Sequence, residues 1–311
     1  MQRVAIVGAG LIGRAWSLVF ARAGWQVRIT DPDGTVRERL PGRLAADAEL
    51  MVRHGLCTSV DDVVGRIDVT GDLGDALADA VLVQENGPED ADVKRALFAE
   101  LDTLAPPGAI LASSTSAIVA SRFTEELAGR ARCLVAHPVN PPHLVPLVEL
   151  CGAPWTAPDV LERAHALYAS VGQVPIVVRK EIEGFVLNRL QGALLAESFR
   201  LVADGVVSPA DLDRTIADGL GLRWSFMGPF ETIELNAPEG IADYCGRYCA
   251  FYARLADDPP TSAAFGPEAR DAVVRAWPHA PEPDRLAAGA ARRDERLAAL
   301  CAHKATASTD P

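Results

Sequence analysis

The sequence of 311 residues has little of what membrane proteins and nucleic-acid-binding proteins need. No apolar run approaches the roughly 20 residues that cross a bilayer, and Met1-Gln2-Arg3-Val4 enters a strand-like segment with no signal peptide before it. Lys and Arg number 30 against 42 Asp and Glu, a formal charge of −12, whereas a nucleic-acid footprint needs clustered positive charge. We therefore expect a cytoplasmic protein whose ligand is a small molecule.

The six cysteines form no pattern that is typical of a metal site. The sequence contains no C-x-x-C unit, and only Cys245 and Cys249 lie close together, four residues apart on an expected helix. A zinc ion at this pair would lack the second pair of ligands that structural zinc sites use. We therefore expect two reduced, packed thiols and no metal.

The order of apolar segments predicts two domains. Up to about residue 180, short aliphatic runs alternate with helix-like stretches, which is typical of a doubly wound, parallel sheet in an α/β domain. Strands are expected at 4–7, 26–30, 80–84, 109–112, 133–136, 147–150 and 174–178. After residue 184 the apolar spacing becomes helical. The sequence thus predicts an α/β domain over residues 1–183, an all-α domain over 184–304 and a frayed tail over 305–311.

A glycine-rich loop follows the first expected strand and opens a helix. Gly8-Ala9-Gly10-Leu11-Ile12-Gly13 fits G-x-G-x-x-G, whose glycines allow a tight turn, the approach of a pyrophosphate and close helix packing. The helix N-terminus can bind the anion, so cofactor contacts are expected at Gly8, Gly10, Leu11, Ile12 and Gly13. A glycine turn without a ligand is the structural alternative.

An acidic residue at the end of the second expected strand predicts which dinucleotide binds. Asp31 lies eighteen residues after Gly13, where a carboxylate accepts hydrogen bonds from the adenosine ribose and repels a 2′-phosphate. NAD is therefore favoured over NADP as the cofactor. Arg28 and Arg37 are close enough in sequence to leave some NADP tolerance open, and a helix cap is the alternative role of the carboxylate.

A histidine and a carboxylate twelve residues apart are candidates for proton transfer. His137 follows an expected strand at the carboxyl end, where open α/β sheets bind ligands. Glu149 lies in an aliphatic strand that is expected to return beside it, and a buried carboxylate needs a partner. Such a pair suits a base that takes the proton from an alcohol as its hydride leaves. A purely structural His–Glu pair is the equal alternative.

Two further polar segments have both a functional and a structural interpretation. Ser113-Ser114-Thr115-Ser116 follows another expected strand and can donate hydroxyls to a substrate or cap a helix. Asn188 stands in an apolar helical segment, where Asn is a poor helix former. Its amide can bind a carbonyl oxygen or tie two helices together.

Taken together, these motifs resemble the 3-hydroxyacyl-CoA dehydrogenase superfamily in their order and separations. The likeness is closest to the branch of the L-gulonate 3-dehydrogenases and lambda-crystallins, through segments 136–142, 172–173, 206–209, 219–223 and 291–293. The resemblance implies an eight-stranded, NAD-binding Rossmann domain followed by an all-α domain of the 6-phosphogluconate-dehydrogenase type. It also implies a homodimer formed through the C-terminal domain.

The resemblance carries site roles over to individual residues. Catalytic roles fall on His137, Glu149, Ser116 and Asn188, substrate contacts on Ser116, Asn140 and Asn188, and contacts near the nicotinamide ribose on Glu85 and Ser114. In this assignment His137 is the general base and Glu149 is its partner. Ser116 and Asn188 hold the reacting oxygen, and Asn140 supports them.

Departures from the acyl-CoA members concern the substrate. Those members carry His-Phe-Phe-Asn where this chain has residues 137–140, and here Leu222-Arg223-Trp224-Ser225-Phe226 intervenes before a Met-Gly-Pro. We expect Arg223 to bind a substrate carboxylate, with a solvated arginine as the alternative.

These departures favour the NAD-dependent, reversible oxidation of the 3-hydroxyl of a small 3-hydroxy acid. The resemblance implies L-gulonate to 3-dehydro-L-gulonate as the leading candidate. A 3-hydroxyacyl-CoA dehydrogenase, for example for 3-hydroxybutyryl-CoA, or an L-carnitine dehydrogenase is the alternative activity. A non-catalytic, crystallin-like structural or binding protein is the alternative from a different class.

Overall fold

The computed structural model describes residues 2–307, which divide into two compact units. The first unit runs from the N-terminus to Asn188 and also contains the C-terminal segment from Ala287. The second unit is Arg189–Leu286. The predicted division of the domains differs at its C-terminal end, because the last helix packs with the first unit.

The strands of the first unit form one sheet. They are β1 (Arg3–Val7), β2 (Gln26–Thr30), β3 (Ile67–Thr70), β4 (Leu82–Glu85), β5 (Ile110–Ser113), β6 (Cys133–Pro138), β7 (Leu147–Gly152) and β8 (Val174–Val177). Their order in the sheet is β3-β2-β1-β4-β5-β6-β7-β8. This order confirms the prediction of a Rossmann-type, doubly wound sheet followed by helices.

Two features of the sheet depart from the strand pattern expected from the sequence. The segment that joins β6 to β7 is residues 139–146, too short for the dozen or more residues of a parallel crossover. Consequently β7 runs antiparallel to β6, and β8 runs parallel to β7. The strand pattern also missed β3, a short edge strand with no buried residue.

Helices make up most of the rest of the described chain. They are α1 (Leu11–Arg22), α2 (Gly34–Arg53), α3 (Val60–Val64), α4 (Leu73–Leu77), α5 (Ala91–Leu104), α6 (Ser121–Thr124), α7 (Pro158–Ser170), α8 (Leu187–Ala203), α9 (Pro209–Arg214), α10 (Gly221–Trp224), α11 (Pro229–Glu234), α12 (Gly240–Ala256), α13 (Pro267–Ala276) and α14 (Pro283–Ala307). Short 3₁₀ segments lie at Arg130–Arg132 and Ser262–Phe265, and a π-helical turn lies at Thr215–Leu220. Across residues 2–307, no helix is both long and apolar enough to cross a membrane.

The core of the first unit has a layer on each face of the sheet. Successive side chains of a strand point to opposite faces, so Val4 and Ile6 of β1 pack in one layer, and Ala5 and Val7 pack in the other. The first layer includes buried residues of α1, and the second includes buried residues of α5. Burial on both faces explains why these strands appear in the sequence as continuous aliphatic runs.

The C-terminal helix α14 is held to the first unit by burial and by charge. Ala298 is fully buried. Glu295 Oε1 lies 2.7 Å from His54 Nε2, and Glu295 Oε2 lies 3.0 Å from Arg53 Nη2. The predicted frayed tail over 305–311 overlaps the end of this helix, because residues 305–307 form its last turn and the rest of the tail lies outside the described residues.

The cysteines differ between the two units. Burial raises the pKa of the Cys133 and Cys151 thiols to about 12, so both are inert core residues. Cys245 and Cys249 are free thiols but exposed, so the expectation that they are packed is wrong. Within residues 2–307, no cluster of three or more His, Cys, Asp or Glu side chains has an arrangement that could hold a metal ion.

Candidate active site

The loop between β1 and α1 has the shape that a pyrophosphate needs. Gly8 has a φ of +93°, which glycine adopts without cost. A Cβ built on Gly13 would lie 1.8 Å from the Gly8 carbonyl oxygen, so only glycine lets the helix approach the turn. A Cβ on Gly10 would meet no atom within 4 Å, which leaves open space at the start of α1.

The first turn of α1 completes this loop. Leu11 is half exposed, whereas Ile12 packs against the core and anchors the turn. The N–H groups of a first helical turn have no partner within the helix and are therefore available to an anion. These residues fit the pyrophosphate of a dinucleotide.

The carboxylate of Asp31 joins the end of β2 to the glycine loop. Its Oδ2 accepts a hydrogen bond from the Ala9 N–H at 2.8 Å, and its Oδ1 accepts one from the Asp33 N–H at 3.0 Å. Asp31 is half-buried, and each carboxylate oxygen can accept a further hydrogen bond. Arg28 forms an ion pair with Asp75 at 2.9 Å, whereas Arg37 donates to the backbone oxygen of Asp31.

His137 and Glu149 form the predicted buried pair. They lie directly opposite each other on the antiparallel strands β6 and β7. His137 Nδ1 is 2.8 Å from Glu149 Oε2, His137 is 6% exposed and Glu149 is fully buried. Because β6 is a neighbour of β5, His137 shares the carboxyl edge of the sheet with the residues that follow β5.

The surroundings of Glu149 determine which nitrogen of His137 carries a proton. Desolvation acts to raise the pKa of Glu149, but hydrogen bonds from His137 and from the N–H groups of Leu187 and Val186 outweigh it and lower that pKa. The carboxylate is therefore ionised at neutral pH and can only accept hydrogen bonds. His137 Nδ1 must then donate, which leaves Nε2 with the lone pair that a base needs.

Ser116 and Asn188, to which the resemblance assigns one shared role, lie together. Asn188 Nδ2 donates to the backbone oxygen of Ser116 at 2.8 Å, and Ser116 is exposed beyond β5. Asn188 therefore holds the Ser116 loop in place. Asn140 is exposed in the turn after β6, two residues beyond Pro138.

Glu89 supports the same loop and was missed by the sequence analysis. Its Oε1 accepts hydrogen bonds from the N–H groups of Ser116 at 3.0 Å and Ala117 at 3.1 Å, and from the Thr115 hydroxyl. In the sequence, Glu89 stands in a Pro-Glu-Asp turn before α5, where an acidic residue is normally a solvated helix-start residue. No sequence signal links it to a loop more than twenty residues away.

The side chain of Glu85, which the resemblance places near the nicotinamide ribose, is used within the protein. It is fully buried, and both carboxylate oxygens lie 3.0 Å from Lys94 Nζ. Ser113 Oγ donates to Oε2 at 2.5 Å, and the Gly87 N–H donates to Oε1 at 2.6 Å. The carboxylate of Glu85 is thus paired with Lys94, and this internal ion pair joins the end of β4 to α5.

The hydroxyl of Ser114 is likewise used within the protein. It accepts hydrogen bonds from Trp16 Nε1 at 3.0 Å and Gln84 Nε2 at 2.7 Å, and donates to Asn86 Oδ1 at 2.8 Å. One donor and two acceptor sites are all that a hydroxyl has. This hydroxyl therefore has a structural role, and the place of Ser114 near the nicotinamide ribose stays a prediction.

Arg223 belongs to the second unit. It is exposed in α10, and its charge acts on Tyr244 of the same unit. The pKa of Tyr244 is raised, first by its hydrogen bond with the Tyr252 hydroxyl at 2.9 Å, and Arg223 opposes this shift. Within the described chain, Arg223 forms no ion pair with a carboxylate.

The glycine loop, the carboxylate after β2 and the buried His–Glu pair define an NAD-dependent dehydrogenase with a Rossmann-type domain. Two family models extend this conclusion. The NAD-binding domain of 3-hydroxyacyl-CoA dehydrogenases matches residues 3–182, and the C-terminal domain of the same enzymes matches residues 184–265. The chain belongs to the 3-hydroxyacyl-CoA dehydrogenase family.

The individual relatives are named for different substrates or roles. Lambda-crystallin of Oryctolagus cuniculus is 40% identical and covers 96% of this chain and 94% of its own length. An L-carnitine dehydrogenase of Streptomyces griseus is 41% identical over 77% of this chain and 71% of its own. The crystal structure of an NAD⁺-dependent 5-formyl-3-hydroxy-2-methylpyridine 4-carboxylic acid 5-dehydrogenase superposes with a TM-score of 0.85 at 28% identity, covering 96% and 97% of the two chains.

Proposed function

We propose that this dehydrogenase oxidises the 3-hydroxyl of a small 3-hydroxy carboxylic acid, with L-gulonate to 3-dehydro-L-gulonate as the leading candidate. The observation that carries this proposal is the pair of His137 and Glu149 at the carboxyl edge of the sheet. In this pair the ionised carboxylate of Glu149 accepts a hydrogen bond from His137 Nδ1. Nε2 has no hydrogen-bond partner within residues 2–307, so it is free for a substrate hydroxyl.

The reaction needs a proton acceptor and a hydride acceptor. When bound, NAD supplies the hydride acceptor. His137 Nε2 takes the hydroxyl proton as the C–H bond breaks, and the Glu149 carboxylate stabilises the imidazolium that forms. The products are the 3-oxo acid, NADH and one proton, and the same groups return the proton in the reverse direction.

Ser116 and Asn188 orient the reacting oxygen in this proposal. The N–H of Ser116 is fixed by Glu89, and its backbone oxygen is fixed by Asn188. The loop is therefore rigid while the exposed Ser116 hydroxyl stays free to donate to the substrate oxygen. Rigid support of this kind holds the substrate in a reactive geometry.

The preference for a small acid rests on the relatives and on Arg223. Carnitine and a pyridinecarboxylic acid, named for two of the relatives, are small carboxylic acids rather than CoA thioesters. Arg223 has no carboxylate partner of its own in the described chain, and a guanidinium binds a carboxylate through two parallel hydrogen bonds. L-carnitine oxidation is the second candidate, because that relative is 41% identical to this chain.

A substrate panel tests the proposal. We expect NADH formation, measured by absorbance, with L-gulonate or L-carnitine and not with 3-hydroxybutyryl-CoA. Arg223→Met should raise KM for the acid by about 10–100-fold, the effect of a lost charge-assisted contact, and leave a neutral ester unaffected.

Each other result of the panel has a definite meaning. Turnover of the CoA thioester alone would replace the small-acid proposal, and no turnover with any substrate would favour a non-catalytic, crystallin-like role. If the acid and the ester suffer equally in Arg223→Met, Arg223 supports its loop rather than the substrate.

We also propose that the second unit forms a homodimer with a second copy of the chain. Helix α12 has no buried residue, yet Tyr248, Phe251, Tyr252 and Leu255 lie on one face and are 42–56% exposed. A large exposed apolar face marks an interaction surface. Light scattering should give a dimer mass for the protein and a monomer mass for Leu255→Glu, whereas Ala250→Glu on the polar face should remain dimeric.

A further inference from the structure

The turn between β8 and α8 adopts a backbone that its sequence does not favour. Gly184 has a φ of +75°, and the next residue, Phe185, has a φ of +49°. Glycine adopts this region readily, but a bulky residue with a positive φ is an outlier. Such outliers persist where surrounding contacts hold them, and they cluster at functional sites.

The backbone of this turn forms an anion-binding concavity for Glu149. The N–H groups of Val186 and Leu187 donate to the same oxygen, Glu149 Oε1, at 2.9 and 3.0 Å. Successive N–H groups that converge in this way form a nest for an anion. The other oxygen, Oε2, remains free to accept from His137. The turn therefore fixes the orientation of the carboxylate and with it the direction of the bond to the imidazole.

The side chain of Phe185 acts on the other member of the pair. It is fully buried, and its ring centroid lies 5.6 Å from that of His137 at an interplanar angle of 36°. This distance is within the range of attractive ring contacts. The ring therefore packs beside the imidazole that Glu149 binds. The backbone conformation of Phe185 thus presents the next two N–H groups to Glu149, while its ring contacts His137.

We infer that Phe185 is a positioning residue for the His137–Glu149 pair. Its left-handed backbone places the two N–H groups on Glu149, and its ring holds the imidazole plane so that Nε2 faces the substrate. Phe185 acts through these two residues and does not itself touch the reacting atoms. The inference rests on the proposed role of His137 as the base.

A matched pair of substitutions tests this inference. Phe98 is also fully buried, belongs to the same apolar layer and packs on Phe123 with ring centroids 4.7 Å apart. Phe185→Leu and Phe98→Leu therefore remove the same atoms from the same core. The first should lower kcat by about 10-fold while changing KM and the dissociation constant of NADH by less than about 2-fold, because only the geometry of proton transfer is disturbed. The second should lose thermal stability to a similar degree and keep kcat.

A second measurement does not depend on activity. The proton on His137 Nδ1 that bonds to Glu149 should give a downfield NMR resonance that is absent in His137→Gln. It should weaken or shift upfield in Phe185→Leu and remain unchanged in Phe98→Leu. Phe185→Met, which fills the volume without a ring, provides the same test if Phe185→Leu does not fold.

The results separate this inference from the proposed function. Equal kcat and an unchanged resonance in Phe185→Leu and Phe98→Leu would overturn the positioning role. If the unsubstituted protein oxidises no hydroxy acid, the proposed function fails, and the resonance alone then decides whether Phe185 orients the pair.

Discussion

Two buried histidines, six residues apart in sequence, have the same exposure and different surroundings. His137 and His143 are each 6% exposed. His137 has an ionised carboxylate on Nδ1, whereas the Nδ1 of His143 is buried without a partner among residues 2–307. Burial alone therefore does not make a histidine useful for chemistry. A carboxylate partner does, because it stabilises the protonated ring that proton transfer produces.

The charges around His143 explain why it remains neutral. Burial lowers its pKa to about 4, and the positive charges of Arg22 and Arg14 add to that effect. Arg22 donates to the backbone oxygen of His143 at 2.8 Å, so a cation stays close to the ring. Protonation of His143 at neutral pH would place a positive imidazolium beside these arginines.

The two histidines should differ most in what their substitution does to turnover. His137→Gln removes the proton acceptor from the transition state, so we expect kcat to fall by roughly 10²–10⁴-fold with NADH affinity little changed. The same substitution at the other histidine, His143→Gln, should leave turnover near that of the unsubstituted enzyme. Steady-state rates and fluorescence titration with NADH measure both effects. Near-normal turnover in His137→Gln would remove His137 from the role of base.

Removal of the partner carboxylate should have a smaller effect. Glu149→Gln keeps the shape of the side chain but not its charge, so imidazolium is no longer stabilised and the plateau of kcat should fall by about 10–100-fold. Glu85→Gln is the control at the second fully buried carboxylate. It should destabilise the fold and leave the plateau of kcat in place. An unchanged plateau of kcat in Glu149→Gln contradicts the pairing.

Particular residues show how much of the site could be predicted from the sequence. The glycine loop, Asp31 and the histidine beside Glu149 were predictable because each follows an aliphatic strand, and the carboxyl ends of parallel strands meet at one edge. The pairing of His137 with Glu149 was predictable because a carboxylate in an aliphatic strand needs a buried partner, whereas the antiparallel direction of β7 was not expected. In these cases local spacing determines the three-dimensional neighbour.

Other residues depend on contacts that the sequence does not encode locally. Glu85 has the same apparent place at a strand end, yet its carboxylate turns inward to Lys94, which is 1% exposed. A lysine in an amphipathic helix is normally solvated, so its burial could not be foreseen. The positive φ of Phe185 has no sequence signal, because the residue is not glycine.

His143 should also make the stability of the protein depend on pH. Its pKa of about 4 in the folded state lies below the ordinary 6.5, so between these values the unfolded chain binds a proton that the folded one excludes. The free energy of unfolding should therefore fall by about 2 kcal/mol from pH 7 to pH 5 on account of this residue. Urea titrations should show a smaller loss in His143→Gln and the full loss in His165→Gln, an exposed control. An unchanged loss in His143→Gln would mean that this ring is solvated.

The smallest effect concerns a carboxylate that, like Glu149, accepts backbone N–H groups but remains half exposed. We expect kcat/KM to be about 10-fold or more higher with NAD than with NADP. The 2′-phosphate of NADP would lie against the negative charge of Asp31. Asp31→Ser should narrow this ratio. Asp33→Ser, which removes an equal charge two residues away and can still cap α2, should not narrow it.

Equal use of both cofactors by the unsubstituted enzyme would show that Arg37, which donates to the backbone of Asp31, offsets the carboxylate. Arg28 is the weaker candidate for that role, because its guanidinium is already paired with Asp75.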